Sequence, residues 1–363
     1  MRICQVVTSV HTGGAERVAL LVASELGRRG HEVTTVSLEE FVDGPLGPAF
    51  ERACHSFVKI RKAPNVVDPK LPGKLLEFFR AERFSVVHTH NPLSLMYAAI
   101  PARMSGSRVV HTKHGPHPDT FKRVMLRRLG ALATHAFVAV SQDTIDYAKS
   151  IYEVFPWKTH VVTNGTDLTR FRPDPEARRS VRDELGIPQA AVVFGTVGRL
   201  APVKNHALLI RAAAPLLGSE RRLVIVGGGQ EAEATARVAR ETGAAEYVHL
   251  VGEQSDVARY LSAFDVFVLS SDSEGMPLSL TEAMGVHLPL VATRVGGVPK
   301  IIDEGETGLL VPAKDPEALR AALKTLADSP DLRHTMGARG RQVAESRYSV
   351  QRMVDDYERL YAS

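Results

Sequence analysis

The sequence predicts an α/β protein made of two Rossmann-type domains in tandem, and three observations carry that prediction. Its 363 residues exceed what one hydrophobic core usually organises. Short β-branched runs alternate with amphipathic helical segments along the chain, the pattern of a parallel sheet covered on both faces. A Pro- and charge-rich connector, FRPDPEARRSVRDELGIPQ, interrupts the alternation near the middle and reads as a domain boundary. The expected domains are residues 1–170 and 171–345, with a closing helix over 346–363.

In order, RICQVVTSV is a strand, ERVALLVASELGRRG has helical spacing, and HEVTTVSL returns to strand. SVVHTH, RVVHTKH, AFVAVS and HVVTNG follow as further short strands. After the connector come AVVFGTVG, RLVIVGGG, YVHLVG, DVFVLS, PLVATRVGG and TGLLVP, each ending in a turn signal or a helix. The last helix, YSVQRMVDDYERLY, comes after the second series is complete, and pattern alone does not say where it packs. Ligands of such sheets bind outside the carboxyl ends of the strands, so two facing sheets imply a cleft.

Composition narrows the function class. A hydrophobic fraction of 44% with 24% charged residues is globular. Two cysteines, Cys4 and Cys54, supply neither a disulfide framework nor a four-ligand zinc set, which fits a reducing cytoplasm. The opening MRICQVVTSVHTGG reads as a strand rather than a signal peptide, and no apolar run reaches membrane-spanning length. The formal charge of +4 is uneven: residues 1–170 carry 22 Lys and Arg against 15 Asp and Glu, leaving 23 against 26 for the rest. A basic first half suggests an anionic partner there. Nucleic acid is not the expected one, because no basic stretch is interleaved with aromatics and no zinc-finger or single-strand-binding signature occurs.

Several segments carry chemistry. In TSVHTGGAERV, Gly13 and Gly14 lie between the first strand and helix, where backbone can approach a phosphate or carboxylate at a helix start. The spacing is not G-x-G-x-x-G, and Glu39 and Glu40 fall only loosely where a ribose-binding acid would sit, so a dinucleotide fingerprint is lacking. FGTVGRLAPVKNHALLI places Gly198, Arg199 and Lys204 after a strand, an arrangement suited to diphosphate oxygens or simply a solvated cationic loop. GGG at 227–229 lets backbone come close to something, or is only a flexible turn. In SEGMPLSLTEAM, Gly275 suits a turn and Pro277 a first helical turn, so backbone N–H groups of Met276, Leu278 and Ser279 would face an anion. Glu274 would lie in the loop and Glu282 inside the helix, and sugar hydroxyls are the natural partners for carboxylates beside an anion site.

With these residues in view, the chain resembles the retaining GT-B glycosyltransferases, family 4-like or group 1, in which two Rossmann-like domains face each other across a cleft. The resemblance runs in order through GGAERV, VVHTHNP, HTKHG, VVTNGTDLTRFRP, GTVGRLAPVKN, LVIVGGG, SEGMPLSLTEAM, PLVATRVGGVPKII and ETGLLVP. It implies that Arg199 and Lys204 hold the donor diphosphate, Glu274 the donor sugar and Glu282 the ribose. His114 would lie at the anomeric centre, and Gly14 would pack against the diphosphate or sugar. Asn164 and Gly165 would mark the domain junction, and the closing helix would cross back to the first domain. Two positions depart from the family pattern: His287 stands where Gly is usual and Lys300 where an acid is usual.

The activity this resemblance implies is metal-independent transfer, with retention, of a hexosyl or N-acetylhexosaminyl group from a UDP-sugar, or next a GDP-sugar. The acceptor would be a hydroxyl of a glycan or lipid-linked molecule in cell-envelope polysaccharide or glycolipid synthesis. No cofactor is implied, since the nucleotide sugar is a substrate. His88, His90, His111, His114 and His117 invite a metal site, but Pro116 and Pro118 break any helix that would align them. FKRVMLRRLG, residues 121–130, reads either as a helix lying on an anionic membrane or as one packing its apolar side inward. The expected location is cytoplasmic, peripheral to the inner face of the membrane if the first alternative holds. A nucleotide-sugar epimerase on the same frame is the competing enzyme. A two-domain solute-binding protein and a tandem-domain dehydrogenase fit less well.

Overall fold

A computed structural model of the chain describes residues 1–11, 13–38, 44–63, 68–115 and 117–363. They form two compact units, Met1–Gly165 with Val350–Ser363, and Thr166–Ser349. The chain leaves the first unit at Gly165, a little ahead of the expected break, and residues 346–349 stay with the second unit.

In the first unit the strands are β1 (Arg2–Val7), β2 (Glu32–Ser37), β3 (Ser56–Lys59), β4 (Val86–His90), β5 (Arg108–Lys113), β6 (Ala136–Ala139) and β7 (Thr159–Val161). They pair in the order β3-β2-β1-β4-β5-β6-β7, each described pair parallel. Because the order reverses between β1 and β4, the chain leaves both strands side by side at their carboxyl ends, where such sheets bind ligands. Cys4, Val6, Val36, Val87, Val109 and Phe137 build one core of this unit, while Val7, Val10, Ala19 and Phe50 form a smaller one. Cys4 and Cys54 are both free thiols.

The closing helix, Val350–Ala362, belongs to this unit and buries Val350, Met353, Val354, Tyr357 and Tyr361 along one face. The Tyr361 hydroxyl lies 2.8 Å from His88 Nδ1, and the Tyr357 hydroxyl lies 3.1 Å from Thr112 Oγ1. Arg29 donates to Asp355 and Glu358, both at 2.6 Å.

The second unit contains β8 (Val192–Val197), β9 (Arg221–Val226), β10 (Val248–Gly252), β11 (Val266–Leu269), β12 (Leu290–Thr293) and β13 (Gly308–Val311). Their order is β10-β9-β8-β11-β12-β13, again parallel. Strand alternation divides the apolar residues between two cores. Val193, Val224, Val226 and Phe267 face one, and Phe194, Leu223, Ile225, Val266 and Val268 face the other.

The Pro- and charge-rich connector, residues 171–189, lies wholly within this unit rather than at the break between units, which falls after Gly165. It supplies the helix Pro175–Glu184, capped by Asp174, whose carboxylate accepts from Glu176 and Ala177 N–H. From that helix the fully buried Arg182 donates to the carbonyls of Ala191 and Ala263 and to Asp265 at 2.7 Å. Among the described residues no helix is long and apolar enough to cross a membrane.

Candidate active site

The second sheet reverses order between β8 and β11, so the loops leaving these two strands are neighbours. The first carries Gly198, Arg199 and Lys204; the second carries Ser270–Pro277. Lys204 Nζ donates to Glu274 Oε1 at 2.6 Å, and Ser271 Oγ donates to the same oxygen at 2.5 Å. Thus the cation expected at a diphosphate and the acid expected at a sugar form one cluster, although they are far apart in sequence. An acid close to an anion site is unfavourable by itself, and here Lys204 offsets it. Arg199 is exposed and has no ion pair among the described residues.

Residues that the sequence motif does not single out hold the two loops together. Ser270 Oγ donates to the carbonyls of Lys204 and Asn205, Asn205 Nδ2 donates to Asp272 Oδ1 at 3.0 Å, and Asp272 N donates to Val203 O. Asn205, at φ +48°, also caps the following helix by accepting from Leu208 N–H. The glycine runs have a related task. Gly227, at φ +149°, packs so closely that a Cβ there would overlap Gly198 O, and Leu200 N donates to Gly228 O at 2.8 Å. Gly296, at φ +49°, lies against the carbonyl of Glu274 in the same manner. What the GGG run approaches is therefore the backbone of the Arg199 loop.

The helix after Glu274 runs Leu278–Gly285, and no side chain caps its start. Pro277 stands at the cap position rather than in the first turn as expected, with ψ 116°. Leu278 and Ser279 open the helix, Met276 is half-buried just before it, and Glu282 is buried within it. Gly275 lies beside Gly297, close enough for a Cβ on Gly297 to meet the Gly275 carbonyl. His287 adopts φ +62°, a conformation that glycine takes without strain, which explains why Gly is the more usual residue there. Lys300 is exposed, and its carbonyl accepts from the Tyr348 hydroxyl.

In the first unit, Gly13 precedes and Gly14 begins the helix Gly14–Arg28, with no side-chain cap. The Glu16 carboxylate folds back over Gly13, an acid at the positive end of the helix. His114 sits just beyond β5. Its Nε2 lies 3.0 Å from His90 Nδ1 and the rings stack, while its own Nδ1 is buried without a partner. His88 also packs against His90, with centroids 4.1 Å apart and the rings tilted by 35°. Burial, and next the neighbouring charges, hold these rings neutral: His88 and His114 are each pulled down to about 3, and His90 and His111 also fall well below the usual range.

Among the described residues no group of three or more His, Cys, Asp or Glu is arranged to hold a metal. His117 instead meets Gly115 O, and Arg127 donates to the carbonyl of His117. Asn164 is buried, and Gly165 N–H meets Met353 Sδ of the closing helix. Thr12, Glu39, Glu40 and Pro116 lie outside the described residues.

The basic amphipathic stretch forms the helix Phe121–Ala133, and only part of its apolar side packs inward. Val124 and Ala131 are buried, but Phe121 is 76% exposed and Leu129 52%, whereas Arg127 is fully buried.

Two parallel Rossmann-like units with polar clusters at their strand-order reversals define the GT-B class of proteins, and comparison with known proteins agrees. HepE of Anabaena, solved with UDP, has a TM-score of 0.88 at 19% identity, covering all of both chains. Sucrose-phosphate synthase of Thermosynechococcus elongatus has a TM-score of 0.81 at 22% identity, covering 100% of this chain and 98% of that one. Residues 177–343 match Glycosyl transferases group 1 and residues 12–170 match Glycosyltransferase Family 4. The D-inositol 3-phosphate glycosyltransferase of Saccharomonospora viridis is 30% identical, over 98% of this chain and 93% of the relative. The UDP-Gal:alpha-D-GlcNAc-diphosphoundecaprenol alpha-1,3-galactosyltransferase of Escherichia coli is 27% identical, over 96% and 93%. The chain belongs to the group 1, family 4 glycosyltransferases.

Proposed function

We propose that the protein is a retaining, metal-independent glycosyltransferase. It takes a hexosyl or N-acetylhexosaminyl group from a nucleoside-diphosphate sugar, UDP before GDP, and passes it to a hydroxyl of a glycan or lipid-linked acceptor in cell-envelope synthesis. The observation that carries this reading is the Lys204–Glu274–Ser271 cluster beside exposed Arg199 at the reversal point of the second sheet.

Transfer builds positive charge on the anomeric carbon and negative charge on the departing diphosphate. Arg199, Lys204 and the start of the helix Leu278–Gly285 stabilise the leaving charge, as fixed donors do in other sites where an anion develops. When a diphosphate engages Lys204, Glu274 keeps only its contact from Ser271 and has acceptor capacity free for sugar hydroxyls. Glu282 serves the ribose, Gly13, Gly14, Gly198, Gly275, Met276, Pro277, Leu278 and Ser279 serve the donor, and His114 acts at the reacting sugar. The bond from the anomeric carbon to the diphosphate oxygen breaks as the acceptor oxygen bonds to that carbon on the same face. The acceptor proton passes to the diphosphate oxygen. No carboxylate pair of the hydrolytic kind is needed, since the nucleotide is already a good leaving group. Family membership favours transfer over epimerisation.

The relatives' names support UDP through the E. coli galactosyltransferase, and they differ in acceptor, inositol phosphate against a lipid diphosphate. Melting the protein with UDP, GDP and ADP tests the donor. Saturating UDP, at about 100 times its Kd, should add about 2.7 kcal/mol to stability, while equal shifts for all three or none would reject the assignment.

The outward face of the helix Phe121–Ala133 supports a lipid-linked acceptor and a peripheral site on the inner face of the cytoplasmic membrane. Phe121 and Leu129 are exposed on the same helix as exposed Lys122 and Arg123, apolar groups to enter the headgroup region and cations to meet anionic lipid. The protein should sediment with anionic vesicles at low salt, and less so with Phe121→Ser and Leu129→Ser together. Absence of binding by the parent protein would discard the membrane reading.

A further inference from the structure

The histidine that the proposed reading places at the reacting sugar has its proton position set from inside the first unit. The chain of contacts begins at Gln5, in the middle of β1 and fully buried. Its amide satisfies its surroundings in one orientation, with the nitrogen toward Ala19 O at 3.0 Å and His90 Nε2 at 3.3 Å and the oxygen toward Ala23 N–H at 3.2 Å. An amide nitrogen only donates, so His90 Nε2 is the acceptor of that contact. A neutral imidazole carries a single hydrogen, and His90 therefore bears it on Nδ1. That Nδ1–H points at His114 Nε2, 3.0 Å away, which must accept. By the same rule His114 carries its hydrogen on Nδ1.

The chain is possible because β1 and β4 are adjacent at the reversal point of the first sheet, with Gln5 in register with His88. It is braced by His88, whose ring packs tilted against His90 and which contacts Thr112 Oγ1 at 2.7 Å and the Tyr361 hydroxyl at 2.8 Å. Burial keeps the rings neutral, as a relay with one hydrogen per ring requires. At its end His114 Nδ1 is buried and has no partner among the described residues. A buried N–H left unpaired is destabilising, and a ligand oxygen that accepts from it would offset that cost.

We infer that Gln5 and His90 are positioning residues that hold His114 as an Nδ1–H donor, aimed at an oxygen of the bound sugar. The role toward sugar rests on the proposed function; the position of the proton does not. Neither Gln5 nor His90 touches the sugar, and each acts through His114.

Long-range proton–nitrogen spectra of the full-length protein, labelled with 15N-histidine, read the tautomer directly. The ligand-free parent should show His114 protonated at Nδ1. Gln5→Glu replaces the donor with an acceptor, which moves the His90 hydrogen to Nε2, leaves its Nδ1 to accept, and reverses His114 to Nε2–H. His90→Phe removes the donor and should lower kcat about 10–100-fold, the scale known for partners that orient metal-bound histidines, with UDP affinity unchanged. His90→Asn returns an amide N–H near the former Nδ1 and should restore most of the lost rate. His114 protonated at Nε2 in the parent, or equal rates for His90→Phe and His90→Asn, would overturn the inference. If His90→Phe fails to fold, the parent and Gln5→Glu spectra still decide it. Those spectra need no turnover, so the proton position stands or falls on them even if the transferase reading fails.

Discussion

Lys204→Ala should lower kcat by about 10²–10³-fold while the protein melts within a few degrees of the parent. Two effects combine. The point charge that meets the developing diphosphate is lost, and Glu274, now held only by Ser271 of its two described donors, presents an uncompensated carboxylate to that same anion. The second effect makes the prediction sharper than simple loss of activity. Lys204→Ala combined with Glu274→Gln should bind UDP more tightly than Lys204→Ala alone, because the repelling charge is gone, though transfer stays slow. A double-mutant cycle on UDP affinity by calorimetry measures the coupling. Near-normal turnover of Lys204→Ala would remove this residue from the diphosphate, and additive affinities would separate it from Glu274. The fold should survive because Lys204 lies in a loop that backbone and Asn205 contacts hold from both sides.

The largest expected loss of stability is at Glu153. Its carboxylate lies 2.9 Å from Lys113 Nζ and 3.8 Å from Arg127 Nε, and all three side chains are fully buried, two cations sharing one acid. Breaking a buried ion pair by removing one partner costs about 3–5 kcal/mol, chiefly from the charge left behind. Burial already pulls Lys113 below the ordinary lysine range against the opposing pull of Glu153, so once the acid is gone Lys113 can shed its proton. Arg127 cannot, and its Nε and Nη2 have no other described partner. Glu153→Ala should therefore unfold at a melting temperature lower by about 10 °C. Lys113→Met, which leaves Glu153 with Arg127 alone, should cost much less. Thermal and urea melts of both variants check the asymmetry, and equal losses would contradict it.

Much of the candidate site is legible in the sequence because its residues cluster in short segments after strands. GRLAPVK and SEGMPLSLTE each follow an apolar run, and the reversal rule for parallel sheets says where such segments lie. Asn205, Ser270 and Ser271 do not stand out, because their work is to tie one loop to another, and that pairing leaves no mark in either segment alone. Apart from His114, which the family resemblance places at the reacting sugar, the histidines stand out only as loose metal candidates. Their spacing of two along β4 shows that His88 and His90 share a face, and says nothing of Gln5, more than eighty residues earlier. Helix Phe121–Ala133 shows the same limit: its amphipathic pattern is plain, yet the burial of Arg127 rests on Glu153 and His117, outside the helix.

Local order in the chain sufficed for the α/β class, the two domains, the donor-loop motifs and every described strand except β3, the four-residue edge strand Ser56–Lys59, because periodicity and turn chemistry act over a few residues and so short a run carries little of either. Which side chains meet was decided by tertiary structure alone. Strand order within each sheet is set by packing, and it brings Gln5 to His90 and Lys204 to Glu274. The identity of a proton's resting place, and the balance of a buried charge, depend on those meetings and on the low polarity around them, neither of which any single segment contains.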